Sequence, residues 1–222
     1  MPTARTSATA RGDASETPEN REERKLRTRL HLTQAALTLI GRGRGFTSLS
    51  LREITREAGV VPAAFYRHFR DLDELGLALV EEGGVTLRRL LREVRRGRIA
   101  PKAMLQSSVE IYLRYVREQR LVFAFIAGER GGGSPVIRNA IRREEAHFAA
   151  EMTQDLMTIG TLPDLSLDTL QMICGLIVTT MLNAAADILD LPTEQPRREQ
   201  ELIRNFVRQL RVIFLGAKQW RE

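Results

Sequence analysis

Apolar residues recur along this chain at three- and four-residue steps, the spacing that lines one face of an α-helix. The first stripe, starting from Arg21, is Leu26, Leu30, Thr33, Leu37 and Ile40, and Gly41-Arg-Gly-Arg-Gly45 ends it. Phe46 opens a short connector. Ser50-Leu-Arg-Glu53 has the spacing of a capping box, which predicts a short helix burying Leu51, Ile54 and Ala58. Gly59 stands where a left-handed turn would close that helix, and Pro62 where the next would open. That next helix, Pro62 to His68, buries Phe65 and Phe69. Asp71 then caps a long helix from Leu72 towards Arg96, with Leu75, Leu79, Leu87, Leu90 and Leu91 as its apolar positions.

Five further helices follow the same period: Lys102 to Arg117, Leu121 to Ala127, Pro135 to Thr158, Ser166 to Leu189, and Glu194 to Trp220. Breaks are expected at Gly97 to Pro101, at the Gly131-Gly-Gly-Ser-Pro135 loop with Ser134 as a cap, around Pro163, and at Pro192. No segment reads as a strand. The expectation is an all-α protein of about nine helices.

Composition adds setting and partner. Hydrophobic residues are 43% and charged residues 28% of 222, the balance of a globular chain. Residues 1–20 are rich in Ser, Thr, Ala and Gly, lack an apolar period, and are expected to form a disordered arm with no signal peptide. The lone cysteine, Cys174, excludes an intrachain disulfide and fits a reducing cytoplasm. It lies in an apolar stretch that Thr179, Thr180 and Asn183 make too polar for a bilayer span. His31, His68 and His147 are scattered, so no metal site is expected. The net charge of +6 is concentrated: residues 21–70 hold eleven Lys/Arg against four Asp/Glu, and residues 71–222 balance. A basic segment on a neutral body points to nucleic acid as partner.

Two short helices joined by a glycine turn form the helix-turn-helix pattern, whose second helix lies in the major groove. In SLREITREAGVVPAAFYRHF the second helix presents small residues. Pro62, Ala63 and Ala64 permit close approach, and the alanines could touch a thymine methyl. Tyr66, Arg67 and His68 supply phosphate-directed donors. Arg52 can reach a base edge or a phosphate, and Arg24, Lys25, Arg27 and Arg29 can engage the backbone or an adjacent groove.

The segment LREITREAGVVPAAFYRHFRDLDEL resembles the N-terminal signature of the TetR family of repressors. Ala58, Gly59, Val60, Phe65, Tyr66, His68, Phe69, Asp71, Asp73, Glu74 and Leu75 match its pattern. The resemblance implies that Tyr66 and His68 contact phosphates. Val61 departs from the family's usual Ser or Thr after the turn valine, and Ser48 or Ser50 would serve instead as cap or phosphate donor. SLSLREITREAGVVPAAFYRHFRDLDELGLALVEEGG, GERGGGSPVIRNAIRREEAHF and RQLRVIFLGAKQW are similar to the FabR-type and DesT-type branch, which regulates unsaturated fatty acid synthesis and desaturation. That likeness implies a homodimer on a palindromic operator, with long-chain acyl-CoA or another acyl thioester as effector and no cofactor. The expected organisation is an arm at 1–20, a three-helix helix-turn-helix DNA-binding domain at 21–70, and a helical ligand-binding and dimerisation domain at 71–222.

The residues after 71 support this independently. The last two helices carry Ile177, Met181, Phe206, Leu210 and Phe214 at helical spacing, a candidate four-helix dimer interface or else an internal helix pair. Met104, Met152, Met157, Met172 and Met181 suit a ligand of variable shape. With Leu105, Val109, Tyr112, Phe123, Phe125, Ile126 and Phe148 they are candidates to line an acyl tunnel, or simply core. Arg130 and Arg138 flank the glycine loop and could meet CoA phosphates.

Three alternatives stand beside this reading. One is a repressor of an efflux or catabolic operon sensing another hydrophobic molecule, a cationic drug included, with Glu110, Glu129 and Asp155 as acidic candidates. The second is an enzyme, against which no nucleophile elbow, P-loop or metal spacing is present. The third is a non-specific DNA-packaging protein.

Overall fold

Local signals decide where most helices begin. In the computed structural model, which describes residues 20–96, 101–160, 162, 165–192 and 194–221, Ser50 caps the second helix. The Glu53 amide donates to Ser50 Oγ at 3.3 Å, and the Ser50 amide donates back to Glu53 Oε2 at 2.9 Å. Asp71 accepts from the Glu74 amide at 2.8 Å, Ser134 from Ile137 and Ser166 from Thr169. Each cap satisfies an amide that a helix start leaves without a partner.

Nine α-helices and no strand are present among the described residues. They are α1 (Arg21–Gly41), α2 (Leu51–Glu57), α3 (Pro62–Phe65), α4 (Leu72–Arg96), α5 (Pro101–Glu118), α6 (Arg120–Glu129), α7 (Pro135–Ile159), α8 (Leu167–Asp190) and α9 (Pro196–Gln219), with one 3₁₀ turn at Phe46–Ser48. Residues 1–19 of the expected arm at 1–20, residues 97–100 of the expected break at Gly97 to Pro101, and Thr161, Pro163 and Asp164 of the expected break around Pro163 lie outside the described residues.

Two expectations need correction. The stripe on α1 is displaced: Leu26 and Leu30 are exposed, and Leu32, Ala36 and Leu39 are buried beside Thr33 and Leu37. Leu26 and Leu30 stand on the first turns of α1, ahead of the residues that pack into the first core. The helix expected at Pro62 to His68 ends at Phe65 and continues only as a tight turn, with the His68 amide donating to Phe65 O at 2.8 Å.

Two cores fill the molecule. The first joins Leu32, Ile54, Phe65, Phe69 and Leu79 to Phe125 of α6 and Ile137 and Ile141 of α7. Phe46 meets Phe125 edge-on at 5.2 Å between centroids, which ties the 3₁₀ turn to α6. The second is built from α4, α5, α6, α7, α8 and α9 around Tyr112, Phe148, Cys174 and Phe206. Along α4, Arg88 pairs with Glu144, Arg92 with Glu151, and Arg95 with Asp155, so charges lock the register of α4 against α7. By length and composition α8 could cross a membrane, but α5, α6, α7 and α9 all pack against it.

Candidate nucleic-acid interface and effector cavity

Between α2 and α3 the chain turns at Gly59, whose φ of 68° is a left-handed conformation that suits glycine. Val61 takes the N-cap position of α3 with no side-chain cap, and Pro62 fills the first turn. Neither Ser50, which caps α2, nor Ser48, whose hydroxyl donates to Gly45 O at 2.7 Å, replaces the missing cap of α3.

Burial sorts the residues of α3 and its turn. Phe65 and Phe69 point inward with ring centroids 5.6 Å apart. Pro62, Ala63, Tyr66 and Arg67 face outward, Ala64 is half-buried, and Tyr66 is 64% exposed. Val61, at 69% exposure, was not expected as a contact, yet it is the most exposed apolar side chain of this unit. Arg24, Lys25, Arg52, Ser48 and Ser50 are also on the surface.

Arg29 is held differently from its expected role. Its guanidinium stacks on the Phe69 ring at 4.3 Å and donates to His68 O at 3.0 Å. It staples α1 to the end of the α3 turn. Partial burial, then the charges of Arg29, Lys25 and Arg67, hold the His68 imidazole below its ordinary pKa. The same charges show that the basic start of α1 lies beside the α3 turn. Arg42 and Arg44 are tied to Glu57 and Glu53 of α2, each at 2.9 Å.

The main cavity, about 490 Å³, lies within the second core. Of the candidate ligand contacts, Met104, Leu105, Val109, Tyr112 and Met152 line it. Phe123 and Phe148 line a smaller neighbouring cavity. Five candidate ligand contacts line neither cavity. Phe125 is in the first core, because it lies on the opposite side of α6 from Phe123. Met172 is exposed on the outer side of α8, as Met157 is on α7. Arg130 pairs with Glu145 at 2.8 Å, and Arg138 donates to Gly132 O. Neither arginine reaches the main cavity.

The candidate dimer residues are also relocated. Ile177, Met181, Phe206 and Leu210 are buried within the protomer, Phe214 is half-buried, and all five line the main cavity. Exposed on α8 and α9 are Met172, Leu176 and Val212, and also Leu215, which stands at the main cavity.

Three cations at the cavity were not anticipated: Arg95, Arg211 and Lys218. Arg95 is buried and donates through Nε and Nη2 to Asp155 Oδ2 at 3.0 and 2.8 Å. Arg211 and Lys218 are exposed on α9 on either side of Phe214. Their seven-residue spacing was readable in the sequence, but the face they share was not. No Asp or Glu is among the described lining residues.

Comparison with known proteins fits this architecture. Residues 32–79 match the family described as bacterial regulatory proteins, tetR family, and residues 101–211 match the tetracyclin repressor-like C-terminal domain. A fatty acid degradation regulator FadR from Bacillus halodurans superposes with a TM-score of 0.65 at 14% identity, covering 87% of this chain and 97% of that one. The transcriptional regulator FadR from Bacillus subtilis, solved in complex with stearoyl-CoA, gives 0.61 at 14% identity over 84% and 98%. A transcriptional regulator from Rhodococcus gives 0.63 at 21% identity over 89% and 99%. With both ends of the chain matched, the protein belongs to the TetR family of bacterial transcriptional regulators, proteins that bind operator DNA, dimerise and bind small-molecule effectors.

Proposed function

We propose that this protein is a repressor of fatty acid genes whose hold on a palindromic operator is set by a long-chain acyl-CoA or related acyl thioester. The observation that carries the reading is the main cavity: apolar walls, with cations and no carboxylate among its described lining residues. Such a site suits an apolar chain ending in an anionic group. It suits a cationic drug poorly. Glu110 is exposed and Glu129 lies outside the lining, while the Asp155 carboxylate already binds Arg95. The FadR solved in complex with stearoyl-CoA lends support, since a chain of this fold binds such a ligand. Control of unsaturated fatty acid or desaturase genes in particular rests on the motif resemblance.

In this reading residues 21–70 read DNA, and residues 71–222 bind the effector and dimerise. Pro62, Ala63 and Ala64, with Val61, approach base edges. Tyr66, Arg67, His68, Lys25, Arg24 and Arg52 engage the phosphate backbone or an adjacent groove. The outward sides of α8 and α9 pair two protomers, and α4 carries the effector's influence to the reading helices. A coupling of ~1–3 kcal/mol would change operator occupancy about 5–150-fold.

The test is binding to a promoter duplex from a desaturase or unsaturated fatty acid synthesis gene, with a random duplex at equal salt as control. Saturated and unsaturated long-chain acyl-CoAs are added in turn. Specific binding that the two ligands move differently is the expected result. Specific binding blind to both would overturn the effector, and equal binding to both duplexes would overturn the repressor.

A further inference from the structure

Two cavities meet at Tyr112 and Met181, which line both the main cavity and the smaller one of about 60 Å³. The Tyr112 hydroxyl donates to the Met181 carbonyl at 2.7 Å, bridging α5 to α8 across the boundary. The ring is fully buried and lies 6.0 Å from both Phe123, on the small-cavity side, and Phe206, on the main-cavity side.

We infer that Tyr112 is a partition that sets the length of apolar chain this protein accepts. This rests on the reading of the main cavity as an effector site. Chains that fit the main cavity stop at the Tyr112 ring. Longer ones turn the ring aside, at the expense of its one hydrogen bond, and enter the space bounded by Gly83 and Gly84 of α4 and by Val178 and Leu182 of α8. That space holds on the order of four to six water-sized groups, enough for a few methylenes. Tyr112 therefore has the position of a specificity-determining residue. Its hydroxyl proton is already given to the Met181 carbonyl, so with that bond intact it has no donor left for a ligand carbonyl or phosphate.

The position of the small cavity gives chain length a consequence. Gly83 and Gly84 lie on α4 in the stretch that also carries Arg88, the partner of Glu144. Only a chain that passes Tyr112 reaches this part of the α4–α7 contact.

The experiment is calorimetric titration of the full chain with saturated acyl-CoAs from octanoyl to stearoyl, for the wild type, Tyr112→Phe and Leu182→Phe. Apolar burial raises affinity about fourfold per methylene. In the wild type this rise should stall where the chain meets the ring. Tyr112→Phe frees the ring and should raise the stearoyl-to-octanoyl affinity ratio about tenfold. Leu182→Phe fills the small cavity and should lower that ratio while leaving octanoyl binding unchanged. One common length profile for all three proteins would overturn the partition and leave the effector site standing. No binding of any acyl-CoA to the wild type would overturn the effector reading and the partition with it.

Discussion

His68, proposed as a phosphate contact, would connect charge to DNA affinity through one side chain. Partial burial and then the Arg29, Lys25 and Arg67 charges keep its imidazole neutral at about pH 7 in the free protein. A nearby phosphate would favour the protonated form, so binding should take up a proton. Operator affinity is expected to rise as pH falls from about 8 to about 6, and His68→Gln should flatten that slope in fluorescence anisotropy titrations. Folding responds in the opposite sense. The unfolded chain binds this proton more readily than the folded one, so the His68 contribution to stability is present above the unfolded pKa of about 6.5 and is lost as pH falls below it. Asp155 is the matching case inside the body. Removing it leaves the Arg95 guanidinium buried without its counter-charge, and Asp155→Ala should lower stability by about 3–5 kcal/mol in urea melts. Caps such as Ser50 and Asp71 were legible in the sequence because each needs only neighbours three residues away. The Arg95–Asp155 pair was not, because its partners are sixty residues apart and belong to helices whose facing sides no local pattern specifies.

At the scale of elements, Gly76 marks a close apolar approach of α4 to its neighbours. A Cβ there would stand 2.6 Å from Ile137 Cδ1 and 2.8 Å from Phe46 Cζ. In an exposed helix Gly→Ala gains about 1 kcal/mol of helix propensity. Here the overpacking, at about 1–3 kcal/mol, exceeds or cancels it. Gly76→Ala is therefore expected to leave Tm unchanged or lower it, where propensity alone would raise it. Helix existence and order were readable from periodicity, since apolar stripes at this spacing belong to no other regular element. Helix direction was less so. α8 is apolar on nearly every side, so Ile177 and Met181 on one face and Met172 and Leu176 on another carry equal sequence signal. Only the packing of α5, α6, α7 and α9 against it separates inside from outside. In α6 likewise, Phe123 and Phe125 are two residues apart and serve different cores.

For the whole molecule, the exposed residues of α8 and α9 form the proposed pairing surface that would make two reading heads act together. Leu176 and Val212 are 51% and 68% exposed and make no use of the protomer's own core. Leu176→Arg or Val212→Arg should shift the protein to monomer in sedimentation velocity and weaken operator binding at least tenfold, with helical content preserved. The helix-turn-helix was recognisable from the chain because its signature is short and local. The cavity was recognisable only in part, since helices from widely separated stretches build it. The first core has a further consequence, for exchange between proteins. Phe46, Leu75 and Leu79 belong to the same packed cluster as Phe125, Ile137 and Ile141. The DNA-reading head is consequently not a cartridge that can be cut after residue 70 and grafted onto the body of a relative. A working chimera would have to import the matching surfaces of α6 and α7, and swaps between distant relatives should fail at solubility before operator choice can be tested.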